Sequence, residues 1–173
     1  DHLLAAYDAD IRNRIDGLEP ANPTGYQVRV HEITPGKVFD DGNVAVTAFA
    51  VPHGDWAVAF GYRFDSADRS IVISGDTRAS DAVVTACGGC DLLVHEVYSA
   101  ERYRTRPTAW QAYHASAHTS TTALAALANR AAPKMLLLYH QLFWGTTDAG
   151  LLAEVRGSGY IGKMGSASDL GRY

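Results

Sequence analysis

The sequence predicts a layered α/β fold. Two observations carry that prediction: strand-length apolar runs alternate with helix-patterned segments over the second half of the chain, and three such runs stop abruptly at a residue that bears chemistry. The clearest is Ile71-Val72-Ile73-Ser74-Gly75-Asp76-Thr77, which reads as a buried strand delivering Asp76 into a cleft at its carboxyl end. Val46-Thr47-Ala48-Phe49-Ala50-Val51-Pro52-His53 and Met135-Leu136-Leu137-Leu138-Tyr139-His140 end in the same manner. At 173 residues, 47% of them hydrophobic, the chain is of single-domain size and can bury a core.

Taken in order, Asp1 to Asp16 places Leu3, Leu4, Tyr7, Ile11 and Ile15 on one helical face, with Asp1 as the cap and Gly17 as the stop. Asp1-His2 therefore reads as a helix start and not as a metal pair. Leu18 to Gly25, with Glu19, Pro20 and Pro23, is a loop. Tyr26 to Ile33 alternates apolar with polar residues, the mark of a strand with one wet face, and His31 falls on the wet phase.

Asp40-Asp41-Gly42-Asn43 is a turn before the strand that runs to His53. The aromatic stretch Trp56 to Phe64, a polar turn at Asp65 to Asp68 and the strand to Asp76 complete a meander. Ser80 to Cys87 is a short helix, and Asp91 to Val97 is another buried strand. Cys87-Gly88-Gly89-Cys90 could be half of a zinc knuckle or a redox pair, but no second pair stands near it, so it reads as two small buried residues at a helix-to-strand turn. Glu101 to Ala117 is polar, aromatic, locally basic and irregular, a loop with at most a helical turn. Thr119 to Ala132 is helical and halted by Pro133. After the strand to His140 come a loop through Trp144 and Gly145, a helix from Thr146 to Arg156, and a short final strand.

The formal net charge of −4 gives no global attraction for nucleic acid, which weakens a polynucleotide substrate but leaves room for a local basic groove. No apolar run reaches bilayer length, and Asp1-His2-Leu3-Leu4 lacks the basic start of a secretory signal. The expectation is a soluble protein, cytoplasmic before any other compartment, with no membrane partner.

His53, Asp76 and His140 form a donor set suited to Zn²⁺: protein ligands that leave a coordination position open for water. A metal so held lowers the pKa of its water and provides hydroxide as the nucleophile. His95 and His118 stand at element boundaries where either could reach the same cleft as a general acid.

The ordered series Val51-Pro52-His53-Gly54, Phe60-Gly61-Tyr62-Arg63, Ile73-Ser74-Gly75-Asp76-Thr77-Arg78, Leu93-Val94-His95-Glu96, His118-Thr119-Ser120 and Leu138-Tyr139-His140 resembles the metallo-β-lactamase superfamily and, within it, the ribonuclease Z-like branch. The resemblance implies a four-layer αββα sandwich of which residues 1–173 are the carboxy-terminal portion, mainly one sheet and its helices. It implies that His53 binds a first zinc, that Asp76 bridges two zincs and that His140 binds the second. It gives His118 the catalytic role of assisting the leaving group or stabilising the transition state, with His95-Glu96 in a loop that supports it.

The family's H-x-H-x-D-H motif, which supplies the remaining ligands, is not in this chain. With the ligands present, one metal or none is expected on the chain alone. The expected function is a zinc-dependent hydrolase acting through metal-bound hydroxide on a phosphodiester, as in RNA, or on a small ester, lactone, β-lactam or sulfate ester. The competing expectation is a non-catalytic half-domain that self-associates. A lone sheet of this kind exposes an apolar face, so either an amino-terminal half or a second copy is expected to cover it.

Overall fold

The computed structural model describes residues 2–17 and 22–173, in two compact units, Asp1–Ile33 and Thr34–Tyr173. In the first unit, α1 (His2–Ala6) and α2 (Asp8–Asp16) are separated by a turn at Tyr7, where one continuous helix was expected. Exposed i,i+4 pairs Asp8–Arg12 and Asp10–Arg14 lie along α2, which contributes little beyond local helix support. The expected cap at Asp1 and residues 18–21 of the expected Leu18–Gly25 loop lie outside the described residues. The strand expected over Tyr26–Ile33 does not form: residues 27–33 carry no regular structure and, Ile33 apart, are exposed. Alternating side chains favour a strand only where a neighbour accepts its backbone hydrogen bonds, and no strand of the described residues pairs with this stretch.

The second unit is built on one seven-stranded sheet in sequential order: β1 (Gly36–Asp40), β2 (Val44–Ala50), β3 (Phe60–Ser66), β4 (Ser70–Ile73), β5 (Leu92–Tyr98), β6 (Met135–Leu142) and β7 (Met164–Ser166). The first four strands form an antiparallel meander. From β4 onward the pairing is parallel, because each later strand is reached through a helical crossover. β1 replaces the strand expected earlier in the chain. The hairpin after it is held by Asp41, whose carboxylate accepts from the Asn43 and Val44 amides, each at 2.8 Å.

Between these strands lie α3 (Asp81–Cys87), α4 (Ala100–Tyr103), α5 (Thr108–Ala117), α6 (Thr121–Ala131) and α7 (Asp148–Gly157). Ser80, Ser120 and Thr147 cap α3, α6 and α7 with their side-chain oxygens, which satisfies otherwise orphaned amides. The stretch 101–117 corrects its expectation as a loop. It contains α4 and α5, because Pro107 opens a segment rich in alanine, and the aromatic residues among those alanines obscured its helical pattern. Cys87 and Cys90 are buried at the α3-to-β5 turn, as expected, but are joined in a disulfide. The left-handed glycines Gly88 and Gly89 let the chain fold back tightly enough to bring them together.

Val72, Leu93, Val97, Leu136 and Leu138 project from one face of the sheet into a core completed by Val83, Leu124, Ala128, Leu151 and Val155 of the covering helices. Strand register puts Tyr62, Phe64, Ile71, Ile73, Leu92 and Val94 on the opposite face, where they are partly exposed. Among the described residues no helix is long and apolar enough to cross a membrane.

Asp91 ties the starts of three parallel strands. Its carboxylate accepts from the Ser70 amide at 2.8 Å and from Lys134 Nζ at 2.7 Å. The Lys134 bond, followed by the Ser70 amide, lowers its pKa from 3.8 to about 2. A depressed carboxylate stabilises the fold above its unfolded pKa and loses that contribution as pH falls through the folded value. Asp91→Asn should therefore lower the urea midpoint at neutral pH, and its difference from the parent protein should vanish as pH falls from about 4 to about 2.

Candidate metal and acid–base site

The site lies at the carboxyl ends of the strands, where each chemical residue is positioned by a break in regular structure. Pro52 and His53 leave the end of β2, and Thr77 Oγ1 and the Arg78 amide both donate to the Pro52 carbonyl, each at 3.1 Å. The two strand ends carrying His53 and Asp76 are thereby fastened together. Gly75 precedes Asp76 with φ +64, and a Cβ there would meet the Phe60 carbonyl oxygen at 2.3 Å. Only glycine permits both that turn and that approach.

His140 enters by a different device. β5 and β6 pair Glu96 with Tyr139 but Val97 with Gln141, so His140 is the extra residue of a β-bulge and adopts φ +44. A non-glycine residue in that region is strained, and a bulge re-aims the side chain it carries. Here the side chain is turned toward Asp76, with His140 Nε2 at 3.7 Å from Asp76 Oδ2.

His118 ends α5, stacks on the His140 ring with centroids 5.6 Å apart, and is nearly buried. Its Nδ1 lies 3.2 Å from Glu96 Oε1. A carboxylate can only accept, so Nδ1–H donates and Nε2 is the nitrogen left for the site. The same Glu96 oxygen accepts from the Thr77 amide at 3.0 Å and the Thr119 amide at 3.2 Å. Burial pushes the Glu96 carboxyl up, with the His118 contact opposing it. Burial also disfavours the His118 imidazolium, yet the Glu96 hydrogen bond and charge, aided by Asp76, carry its pKa above the ordinary histidine value.

Asp76, His118 and His140 each offer a ligand atom, and these atoms lie within 4.8 Å of one another. Tetrahedral ligands on zinc bonds of about 2.0–2.2 Å sit roughly 3.4 Å apart, so small side-chain rotations would bring Asp76 and His140, 3.7 Å apart, onto one ion with His118 beside it. Imidazole nitrogen with carboxylate oxygen is the donor chemistry of a borderline divalent metal, and the residues fit such a group. His53 stands beside this cluster and not within it. Its ring meets His118 edge-on at 5.1 Å, and its Nδ1 donates to the Ala117 carbonyl at 2.9 Å, leaving Nε2 with a free lone pair.

His95 and Glu96 lie in β5 and not in a loop, and their side chains part company. Glu96 reaches His118, while His95 alternates onto the side of Leu93 and Val97, fully buried, its Nδ1 donating to the Glu96 carbonyl at 2.7 Å. Burial lowers its pKa to about 4, so it is neutral at physiological pH. Thr77 and Thr119, whose amides hold Glu96, escaped the sequence reading; each adjoins a residue singled out there, and that adjacency was the available signal.

Residues 5–141 match the family described as the Beta-lactamase superfamily domain. The chain belongs to the metallo-β-lactamase superfamily. Within the superfamily its sequence is ribonuclease Z-like: ribonuclease Z of Mycobacterium sp. (strain KMS) is 31% identical over 140 residues, which cover 81% of this chain and 49% of that protein. Ribonuclease Z of Mycobacterium tuberculosis (strain ATCC 25618 / H37Rv) is 30% identical over 137 residues, 79% of this chain and 50% of that one. The chain thus spans about half the length of the curated relatives it matches. Among solved structures, the metallo-β-lactamase fold protein YhfI from Bacillus subtilis superposes with a TM-score of 0.64 at 18% identity, over 79% of this chain and 52% of its own. That likeness is one of fold, and it places the seven-stranded sheet and its helices within the superfamily's architecture.

The Glu96–His118 contact generates a direct expectation. Glu96→Gln keeps an acceptor but removes the charge that favours the imidazolium. An NMR titration of the metal-free protein should show the His118 pKa falling in Glu96→Gln; an unchanged value would mean that the carboxylate does not govern this histidine.

Proposed function

We propose that this chain is the carboxy-terminal portion of a metallo-β-lactamase domain whose complete form is a metal-dependent hydrolase of phosphodiesters, RNA first among them. The observation that carries the proposal is the convergence of Asp76, His118 and His140, with His118 anchored on a buried carboxylate. The phosphodiester follows from the ribonuclease Z relatives. The half-length match and the partly exposed apolar sheet face support a remainder of the fold lying on that face, with the missing ligands.

In this reading Asp76 and His140 would hold a divalent metal, zinc by preference for this donor set, and His53, which stands beside the cluster, would turn its free Nε2 toward it to serve as a further ligand. A bound ion of this type supplies Lewis acidity and a water of lowered pKa. The remaining chemistry belongs to the chain. His118, fixed through Nδ1, presents Nε2 toward the cluster, and its raised pKa keeps a proton there to higher pH than a free imidazole would. That proton goes to the departing oxygen as the phosphorus–oxygen bond breaks, a contribution of about 10²–10⁴ in rate. Glu96 prevents the ring from rotating and stabilises its charge.

The roles separate experimentally. In the complete protein, Asp76→Ala should abolish zinc binding measured by mass spectrometry. His118→Ala should retain zinc yet slow bis-p-nitrophenyl phosphate hydrolysis by about 10²–10⁴. Loss of the metal in His118→Ala would make it a ligand, and full zinc in Asp76→Ala would overturn the assignment.

A further inference from the structure

The rim of this site carries aromatic surface that the metal and proton chemistry leaves unused. α5 projects Trp110, Tyr113 and His114 at i, i+3 and i+4, so they share one helical face. His114 is 8% exposed, whereas Trp110 is 52% and Tyr113 is 49% exposed. The His114 ring lies nearly parallel to Trp110, with an interplanar angle of 23° and centroids 5.6 Å apart, and it touches Trp144 at 4.7 Å. His114 and Tyr113 bring this group to within 5.6 and 6.1 Å of the His118 ring. His53, whose ring also meets that of His118, is followed by Trp56, 6.3 Å from the His53 ring and 73% exposed. Two open indoles thus stand near the histidine assigned to the leaving group, each separated from it by one histidine ring. Large aromatic side chains gathered in the open mark a contact surface.

Charge specifies the contact. The end of α4 and the turn that leads into α5 carry Arg102, Arg104 and Arg106 in a chain of net charge −4. That turn is fastened to α5 by Gln111 Nε2, which donates to the Arg106 carbonyl at 2.8 Å, and by Tyr103, whose hydroxyl donates to the Gln111 carbonyl at 2.9 Å. Arg102 and Arg104 are exposed, and the Arg106 guanidinium lies over the Trp144 ring at 5.5 Å. Arg106 over Trp144, with Arg102 and Arg104 just before it in the chain, puts positive charge next to the aromatic group that Trp144 joins through His114, a pairing suited to the alternation of phosphate and base in an unpaired strand. A duplex offers no free base face to an indole.

We propose that Trp110, with Tyr113 beside it and Trp56 beyond His53, stacks the unpaired bases next to the scissile phosphate, and that Arg102 and Arg104 neutralise the neighbouring phosphates. The inference takes the position of the scissile bond from the phosphodiesterase reading, but its consequence is binding, which needs no turnover. These are positioning residues, and they select single-stranded nucleic acid over duplex.

The test is fluorescence anisotropy of the complete protein with a labelled short oligoadenylate and with the same strand paired to its complement. The expected result is tighter binding of the single strand, a Kd weakened about ten-fold by Trp110→Ala and restored in large part by Trp110→Phe, and a shallower salt dependence in Arg104→Ala. A parent protein that ignores the single strand, or Trp110→Ala binding it unchanged, would overturn the proposal. So would equal losses in Trp110→Ala and Trp110→Phe, since those report a structural role. Failure of bis-p-nitrophenyl phosphate hydrolysis with stacking intact would fault the metal reading and not this one.

Discussion

The arrangement rests on one buried oxygen. Glu96 Oε1 accepts from the Thr77 amide after β4, from Nδ1 of His118 at the end of α5 and from the Thr119 amide at the entry to α6. Without it, three donors in a dry interior would face no acceptor, at a cost of about 1–3 kcal/mol each. The Thr119 hydroxyl closes the same knot by donating to the Thr77 carbonyl at 2.7 Å. Parallel strands alone would leave the loops at their carboxyl ends free to diverge. The carboxylate makes those loops a single body, and the site inherits its geometry from that body.

Around this hub, positions of low backbone tolerance do the aiming. Gly75 turns the chain so tightly that no side chain fits, and the next residue, Asp76, is delivered to the cleft. His140 reaches the same place by a left-handed bulge, a strained conformation for a residue other than glycine. A cation held here, as proposed, would give that strain a purpose, because a regular strand would carry the residue past the cleft on alternating faces. Membership of the metallo-β-lactamase superfamily is consistent with strand ends carrying the chemistry and the helix-covered sheet carrying the stability.

Much of this was legible in the sequence for definite reasons. The run ending Gly75-Asp76 shows itself because apolar side chains cease where the chain leaves the core. The helix over Thr121–Ala131 shows itself through its alanine and leucine content and the proline behind it. What escaped depends on partners distant in sequence. Tyr26–Ile33 has a strand's alternation but no neighbouring strand. Positive φ at His140 leaves no trace in residue type, so a bulge there was unreadable. The grouping of His118 with Asp76 and His140, and the place of His53 beside them, depend on how α5 returns to the strand ends, and α5 itself was hidden by its aromatic residues. The disulfide between Cys87 and Cys90 needed the left-handed glycines between them, whose conformation spacing alone does not specify.

The central claim is that separate strand ends and one bulge bring their donors to a common cation. Diffraction from crystals of the complete protein grown with zinc, recorded on both sides of the zinc absorption edge, tests it most directly. An anomalous peak within about 2.0–2.3 Å of Asp76 Oδ and His140 nitrogen, with His118 still bonded to Glu96, is the predicted result. A site that takes up no zinc under those conditions, or a peak coordinated by other residues, would contradict it.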